Sequence, residues 1–344
     1  MDLLAGKTFD ERAAELFAHQ YGGIESYRRF CENRGVTPDS LGSWLEIPAV
    51  PTDVFKHQRL LTVTEAVRTF RTSGTTQGRR GEHHFASLEH YEAAIDAPFK
   101  RYCLPDRARI PMVILAPSPG EVEDSSLSFM LGQLASHFGH PFYSGFFLAT
   151  DDNGELTFDW DGVVQTLESV PGPVMLLGTS FAFVDFFDTV DLDFKLAAGS
   201  RVMETGGLKG KSREVSREEL YGLFAERLSL APTHCIGEYS MTELSSQAYT
   251  DALDRGVSWD EARFQVPDWV RVVAVDPATL QPVPAGERGL LRWLDLANVD
   301  SVCAVQTSDL GVVHEDGGFE LFGRASGAEL RGCSLAIEEL NDGG

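Results

Sequence analysis

Cysteine is scarce in this chain and follows no pattern. Five residues, Cys31, Cys103, Cys235, Cys303 and Cys333, are spread over 344 positions with no C-x-x-C pair. An odd, dispersed set excludes a disulfide framework and a zinc ribbon, and fits reduced thiols in the cytoplasm. Positive charge is also short: 29 Lys and Arg stand against 52 Asp and Glu, a net charge of −23. Nucleic acids and anionic membrane surfaces need a basic face, so neither is expected as the main partner. A long hydrophobic run is missing too. The richest apolar stretch, Val174 to Phe187, is broken by Gly178, Thr179 and Asp185 and is too short to span a bilayer. Met1 to Phe30 holds no apolar core of a signal peptide. No internal repeat and no low-complexity segment occurs. A cytoplasmic protein that is not an integral membrane protein is expected.

What is present is ordinary for a globular enzyme: 43% apolar and 24% charged residues, in a chain long enough for one large α/β domain or two smaller ones. Phe9, Ala13, Leu16 and Phe17 recur at helical spacing until Gly22-Gly23, and a second helix runs from Ile24 to Gly35. Leu60 to Val63 reads as a short strand. Ser87 can cap a helix reaching about Tyr102. Strands at 111–116, 174–177, 200–203 and 233–236 then alternate with helices over 127–138, from Thr179, and from a capping box at Ser216-Arg217-Glu218-Glu219. That alternation predicts a mostly parallel sheet covered by helices. Beyond residue 266 the texture becomes short strands at 270–275, 289–294, 302–305 and 319–322, separated by turns. These predict an antiparallel or barrel-like subdomain.

The chemistry-bearing stretch is Arg71-Thr72-Ser73-Gly74-Thr75-Thr76-Gln77-Gly78-Arg79-Arg80-Gly81, set between Arg68-Thr69-Phe70 and Glu82-His83-His84-Phe85, both strand-like. Glycines let backbone N–H groups approach anionic oxygens, and hydroxyls and Arg side chains add donors, so the loop suits a polyphosphate. It is neither a P-loop nor a G-x-G-x-x-G turn; the alternative is a Ser/Thr/Gly hairpin turn. A second stretch, Gly237-Glu238-Tyr239-Ser240-Met241-Thr242-Glu243, follows a strand, where loops of α/β folds bind ligands. There Tyr239 can stack on a base, Thr242 can donate to phosphate, and Glu243 can hold Mg²⁺ through hard oxygen ligands. The alternative is a strand end and helix cap.

The first loop resembles the Thr-Ser-Gly-Thr-Thr-x-Gly loop of the adenylate-forming superfamily of AMP-forming acyl ligases, and the second its Tyr-Gly-x-Thr-Glu motif, with Ser240 where glycine is usual. Thr307-Ser308-Asp309 resembles the superfamily's Thr-Gly-Asp, whose Asp binds the ribose hydroxyls; Ser308 replaces the glycine. Gly323-Arg324, Gly332 and Glu338-Glu339 resemble the hinge motif, whose Arg reaches the nucleotide. Thr205-Gly206-Gly207 matches the Gly-Gly turn beside adenine. Order and separation agree for the other four, and this turn adds a fifth match. The resemblance thus implies ATP and Mg²⁺ as cofactors. It implies a nucleotide site of Thr72, Ser73, Gly74, Thr75, Thr76, Gly78, Gly206, Gly207, Glu238, Tyr239, Asp309 and Arg324, with Thr242 and Glu243 catalytic and Glu243 on the metal. The chain stops at Gly344, soon after the hinge motif, where the superfamily continues into a small domain with a catalytic Lys.

Longer strings are similar to one branch, the acyl-protein synthetases of the bacterial luminescence fatty-acid reductase complex. They are Leu177-Gly178-Thr179-Ser180-Phe181-Ala182, Glu204-Thr205-Gly206-Gly207-Leu208-Lys209-Gly210, Glu238-Tyr239-Ser240-Met241-Thr242-Glu243-Leu244-Ser245-Ser246-Gln247 and Arg331-Gly332-Cys333-Ser334-Leu335-Ala336. The resemblance implies activation of a carboxylic, fatty acyl substrate, a thioester on a C-terminal cysteine, and an acyl reductase as partner. Cys333 is the candidate acceptor: Gly332 leaves the backbone free, Arg331 and a short helix after it favour thiolate, and the end of the chain is eleven residues away. Glu329, Glu338 and Glu339 oppose that, and a small buried residue is the alternative.

The expected fold is α/β: the adenylate-forming large domain, with mostly parallel sheets flanked by helices, a small C-terminal β-subdomain, and a mobile lid domain lacking or nearly so. The expected divisions are an adenylation core over 1–265, a β-rich part over 266–322 and a hinge-like tail over 323–344 that carries Cys333. An aryl- or acyl-CoA ligase of the phenylacetate type and a non-catalytic nucleotide-binding scaffold remain as alternatives. Other candidates have plainer readings. His137-Phe138-Gly139-His140 can lie near the acyl site or be turn histidines. Lys209 and Lys211, with Arg79 and Arg80, can touch phosphate or be solvated. His83-His84 is rejected as a metal pair, because neighbours on a strand point apart. Phe181, Phe183, Phe186 and Phe187 read mostly as core.

Overall fold

The protein is described from a computed structural model, which covers Leu4, residues 6–73, 79–151, 156–206 and 215–325, and Leu340. The chain forms two compact units. One comprises Met1–Ala94, Met241–Gln247 and Gln265–Gly344; the other comprises Ile95–Ser240 and Ala248–Phe264.

The unit made of Ile95–Ser240 and Ala248–Phe264 is an α/β layer structure. Five parallel strands run in the order Gly145–Phe146, Met112–Leu115, Met175–Thr179, Arg201–Thr205, Cys235–Tyr239. Ala248–Thr250 adds an antiparallel strand beside the last. Parallel strands need crossovers, and helices supply them. Met112–Leu115 is buried at every position, as expected for a strand covered on both faces. The helix Ser180–Thr189 starts where the Thr179 hydroxyl accepts from the Ala182 N–H. The helix Arg217–Leu228 starts where Ser216 accepts from the Glu219 N–H. Each cap satisfies one of the N–H groups that a helix start leaves unpaired, worth about 1 kcal/mol. Phe183 meets Phe224 edge to face at 5.0 Å between centroids. Phe186 and Phe187 join this core, while Phe181 is half-buried against Phe158. Each fully buried Phe contributes roughly 1.5–3 kcal/mol. Sequence periodicity missed the hairpin of Leu148–Thr150 with Leu156–Phe158, because both strands are only three residues long, and it also missed the helix Trp160–Ser169.

The other unit begins with the expected helix pair, Phe9–Gly23 and Glu25–Asn33. Thr8 and Glu11 form a reciprocal capping box on the first. Gly35 adopts φ +68°, the left-handed conformation a helix C-terminus favours glycine for. An antiparallel sheet follows from Val270–Val275, Arg288–Asp295, Ala304–Val313 and Phe319–Arg324. Val50–Pro51 pairs parallel to its third strand, with Val50 opposite Val305. The buried Gln20 amide also reaches this region: its Nε2 donates to Asn298 O at 2.6 Å, and its Oε1 accepts from the Cys303 N–H at 2.9 Å.

Three expected strands differ. Leu60 to Val63 is not a strand: Leu60 and Leu61 are buried, and the Thr62 N–H donates to Asp300 O, but burial of side chains needs no ladder. The strand expected at 233 starts at Cys235, because Pro232–His234 makes a 3₁₀ turn with proline at its first position. The strand expected over 302–305 runs instead from Ala304 to Val313, through Asp309. No helix among the described residues is long and apolar enough to cross a membrane.

Candidate functional site

In the first unit the expected phosphate loop sits on a hairpin of Arg68–Arg71 with Glu82–Phe85. Its neck is closed. The Thr72 N–H donates to Gly81 O at 3.0 Å, and the Gly81 N–H donates back to Thr72 Oγ1 at 2.9 Å. A Cβ on Gly81 would come within 3.1 Å of Thr72 Cγ2, a tight contact that the Thr72 side chain would have to relieve. Arg80 donates from Nε to Thr72 O at 2.6 Å and from Nη2 to Arg71 O at 3.1 Å. Arg80 therefore holds the neck together. Ser73 and Arg79 are exposed, while Gly74, Thr75, Thr76 and Gly78 lie outside the described residues.

The backbone of Thr242 and Glu243 is held from both sides of the motif. The Thr242 carbonyl accepts from His83 Nδ1 at 2.7 Å, and the Glu243 carbonyl from Asn298 Nδ2 at 3.0 Å. The Ser245 and Ser246 N–H groups donate to Asp295 Oδ2 at 3.0 and 2.8 Å. Ser246 Oγ and the Ala297 N–H donate to its other oxygen. Burial pushes the Asp295 carboxyl up, and these donors pull it back. His83 is buried, which pushes its ring down to about 4, so it is neutral and its proton sits on the nitrogen facing the carbonyl. His84 instead faces the Thr69 hydroxyl at 2.8 Å, so the two rings serve separate partners.

The Glu243 side chain is only 7% exposed. Burial pushes its carboxyl up to about 7, with Asp309 adding to the rise, while its own backbone, Arg324 and Lys56 oppose it. Asp309 and Arg324 face each other across the ladder, and Arg324 Nε donates to Asp309 Oδ1 at 3.2 Å. Thus Thr242, Glu243, Asp309 and Arg324 lie in this unit, and the last three are within electrostatic reach of one another. Lys56, His83, Asp295 and Asn298 were not found from sequence. They sit as many as 187 residues before and 55 after the motif, and no local pattern marks them.

The chain leaves the second unit between Ser240 and Met241, inside the motif. Within that second unit, Glu238 lies beside Thr205 in register, and Gly206 follows Thr205. Gly207, Lys209 and Lys211 are outside the described residues. Glu238 is buried, and among the described residues neither carboxylate oxygen has a hydrogen-bond partner. Burial pushes this carboxyl up to about 7, and Glu204 adds to the rise; the nearby Thr205 and Ser240 hydroxyls oppose it without reaching bonding geometry. Tyr239 is half-buried and meets Phe264 edge to face at 6.4 Å. On the opposite face, Glu204 accepts from Ser180 Oγ and from Tyr221 OH. The Arg217 guanidinium lies 5.0 Å from the Tyr221 ring centroid and 5.7 Å from that of Phe264. A Cβ on Gly237 would meet Arg217 Nη2 at 2.6 Å, Thr250 Cγ2 at 3.2 Å and Phe264 Cζ at 3.3 Å, so a side chain there would have to displace the guanidinium. His137 Nδ1 bonds Asp96 Oδ2 at 2.7 Å at a half-exposed position.

Glu238 gives a prediction about stability. A folded carboxyl near 7 against an unfolded one near 4.5 favours the protonated native state. Its contribution is fully present below about pH 4.5 and is lost as pH rises through 7. Glu238→Gln keeps the shape without the charge. Denaturant unfolding at pH 8 is expected to show the variant about 3 kcal/mol more stable than the parent, at ~1.4 kcal/mol per pK unit. The difference should shrink towards zero near pH 4.5, and a constant gap across that range would contradict the assignment.

The chain matches the family described as "Acyl-protein synthetase, LuxE" over residues 6–341. It is 25% identical to the long-chain-fatty-acid–luciferin-component ligase of Aliivibrio fischeri, an alignment covering 96% of this chain and 88% of that one. The protein of the same name from Vibrio harveyi is 24% identical over 95% of this chain and 88% of its own. Among solved structures, a 2-hydroxyisobutyryl-CoA ligase in complex with 2-HIB-AMP and CoA superposes with a TM-score of 0.64 at 16% identity, covering 91% of this chain and 68% of that one. ATP-bound MatB from Rhodopseudomonas palustris gives 0.55 at 16% identity, over 85% of this chain and 56% of MatB. The fold is that of these ligases. With a match running almost end to end, the chain belongs to the LuxE family of acyl-protein synthetases.

Proposed function

We propose that this protein activates a fatty acid with ATP and then carries the acyl group as a thioester on Cys333, for delivery to an acyl reductase. The observation that carries the reading is the family match over residues 6–341. In the first step a carboxylate oxygen attacks the α-phosphorus of ATP. An O–P bond forms, the bond to the β-phosphate oxygen breaks, and pyrophosphate leaves with that electron pair. In the second step the thiolate sulfur attacks the acyl carbon. A C–S bond forms, the C–O bond to AMP breaks, and AMP leaves.

Catalysis of such a displacement rests on positioning and electrostatics more than on covalent chemistry. Residues 72–78 would cradle the phosphates, with the neck at Thr72, Arg80 and Gly81 setting where the loop begins and ends. Asp309 would accept from the ribose hydroxyls, with Arg324 beside it. Gly206, Gly207 and Tyr239 would flank the base, and Glu238 would stand next to them. Thr242 would donate to phosphate.

Glu243 fits a divalent cation. Its carboxylate is a hard oxygen ligand, and burial drives it towards the neutral form, which a bound cation would reverse. Mg²⁺ bound there would supply charge neutralisation for the leaving pyrophosphate. Glu243 would hold it, and the backbone contacts to His83 and Asn298 would keep the carboxylate in place.

ATP–pyrophosphate exchange with a panel of fatty and aryl acids tests the reading. Exchange that depends on a fatty acid and needs no coenzyme A is expected. No exchange with any acid would instead favour a nucleotide-binding scaffold, and product formation only with coenzyme A would favour a CoA ligase.

A further inference from the structure

The structure assigns His83 as a positioning residue that sets the Thr242-Glu243 backbone for metal–nucleotide binding; this rests on the reading that Glu243 holds the metal. His83 lies in the strand Glu82–Phe85, 159 residues before Thr242 in sequence. Its Nδ1–H donates to the Thr242 carbonyl at 2.7 Å, a short contact for N–H···O. The ring is held by its neighbours: it lies 4.2 Å from the Phe85 ring and meets Phe55 edge to face at 5.9 Å. At 1% exposed it has no room to turn to solvent. A buried neutral imidazole facing a carbonyl has a single productive tautomer, so the contact is a fixed donor.

Geometry makes the contact consequential. The Thr242 carbonyl belongs to the peptide that joins Thr242 to Glu243. Asn298 fixes the next carbonyl, and Asp295 fixes the N–H groups of Ser245 and Ser246. Downstream of Glu243 the segment is held at three points. The Leu244 N–H also closes a turn onto the Met241 carbonyl at 3.0 Å, which leaves Thr242–Glu243 as its central peptide, and His83 donates to the carbonyl of that peptide. The central peptide of a turn is the one whose orientation sets the turn type, so loss of the His83 donor weakens the hold on that plane and on the direction of the Glu243 side chain. The same hairpin that carries the phosphate loop thereby sets the carboxylate: His83 lies two residues beyond Gly81, which closes the neck.

The test separates donor from volume. Asn places an amide nitrogen where His Nδ1 stands; Gln reaches instead towards the Nε2 position; Leu keeps apolar bulk with no donor. Mn²⁺ binding in the presence of a non-hydrolysable ATP analogue, followed by electron paramagnetic resonance, reads the site without turnover. His83→Leu and His83→Gln are expected to weaken Mn²⁺ binding about 10-fold, the lower end for loss of a group that orients a ligand. His83→Asn should stay near the parent. Parent-like binding in all three, or equal loss in all three, overturns the inference. If His83→Leu fails to melt cooperatively, the contrast between Asn and Gln decides alone, and no contrast overturns it. Glu243→Gln is the control on the underlying reading: unchanged Mn²⁺ binding there removes the metal from Glu243, and with it the role of His83.

Discussion

Glu243→Gln is expected to lower acid-dependent ATP–pyrophosphate exchange by about 10²–10³-fold, the usual loss for one electrostatic element of a transition state. The fold should not suffer. Glu243 is nearly buried, and burial already disfavours its charge, so the neutral amide removes an unfavourable term while keeping the shape. Loss of activity with an unchanged or raised melting temperature therefore reports chemistry. Circular dichroism melts and exchange assays on one preparation measure both. Exchange within a few-fold of the parent would remove Glu243 from the mechanism.

Cys333→Ser should abolish covalent acylation while leaving pyrophosphate exchange unchanged. The argument is strongest from the other thiols. Cys31, Cys103, Cys235 and Cys303 are all buried. Burial pushes the Cys31 and Cys235 thiols up to about 12, and raises those of Cys103 and Cys303 as well. At neutral pH these are thiols, and the thiolate is the nucleophile. Cys333 lies outside the described residues, and its case rests on sequence: glycine before it and Arg331 near it. Incubation with ATP, Mg²⁺ and a labelled fatty acid should give hydroxylamine-sensitive label on the parent and none on Cys333→Ser. Undiminished label would send the search to the four buried cysteines.

The fold was legible because two periodicities are clean. Helical spacing at Phe9, Ala13, Leu16 and Phe17 and the strand–helix alternation after residue 111 both survive in the structure. Leu60-Leu61 shows the limit: two buried leucines look like a strand, yet whether a backbone pairs depends on what lies beside it. The candidate site divides in the same way. Glu243, Asp309 and Arg324 were readable because each sits in a short local motif. Lys56, His83 and Asp295 were not, since each acts on a residue far away in the chain and looks ordinary where it stands. Arg80 shows a third case. Its charge and position point to phosphate, and two of its nitrogens also donate to carbonyls of its own hairpin.

The pairing of Val50 with Val305, and of Gln20 with Cys303, has a consequence for biosynthesis. A ribosome adds ~5–20 residues per second, so about 250 residues of further translation take roughly 10–50 s. For that time the first two helices exist without the strand and backbone groups they are built to meet. Phe17, Tyr27 and Phe30, buried in the finished molecule, have no completed core to enter. The residues of the α/β unit, by contrast, are all translated once Phe264 has been added. The nascent chain thus reverses its own order, with the middle able to mature first and the beginning last. Its opening ninety-four residues form the segment that a cell must shield until translation has passed Val305.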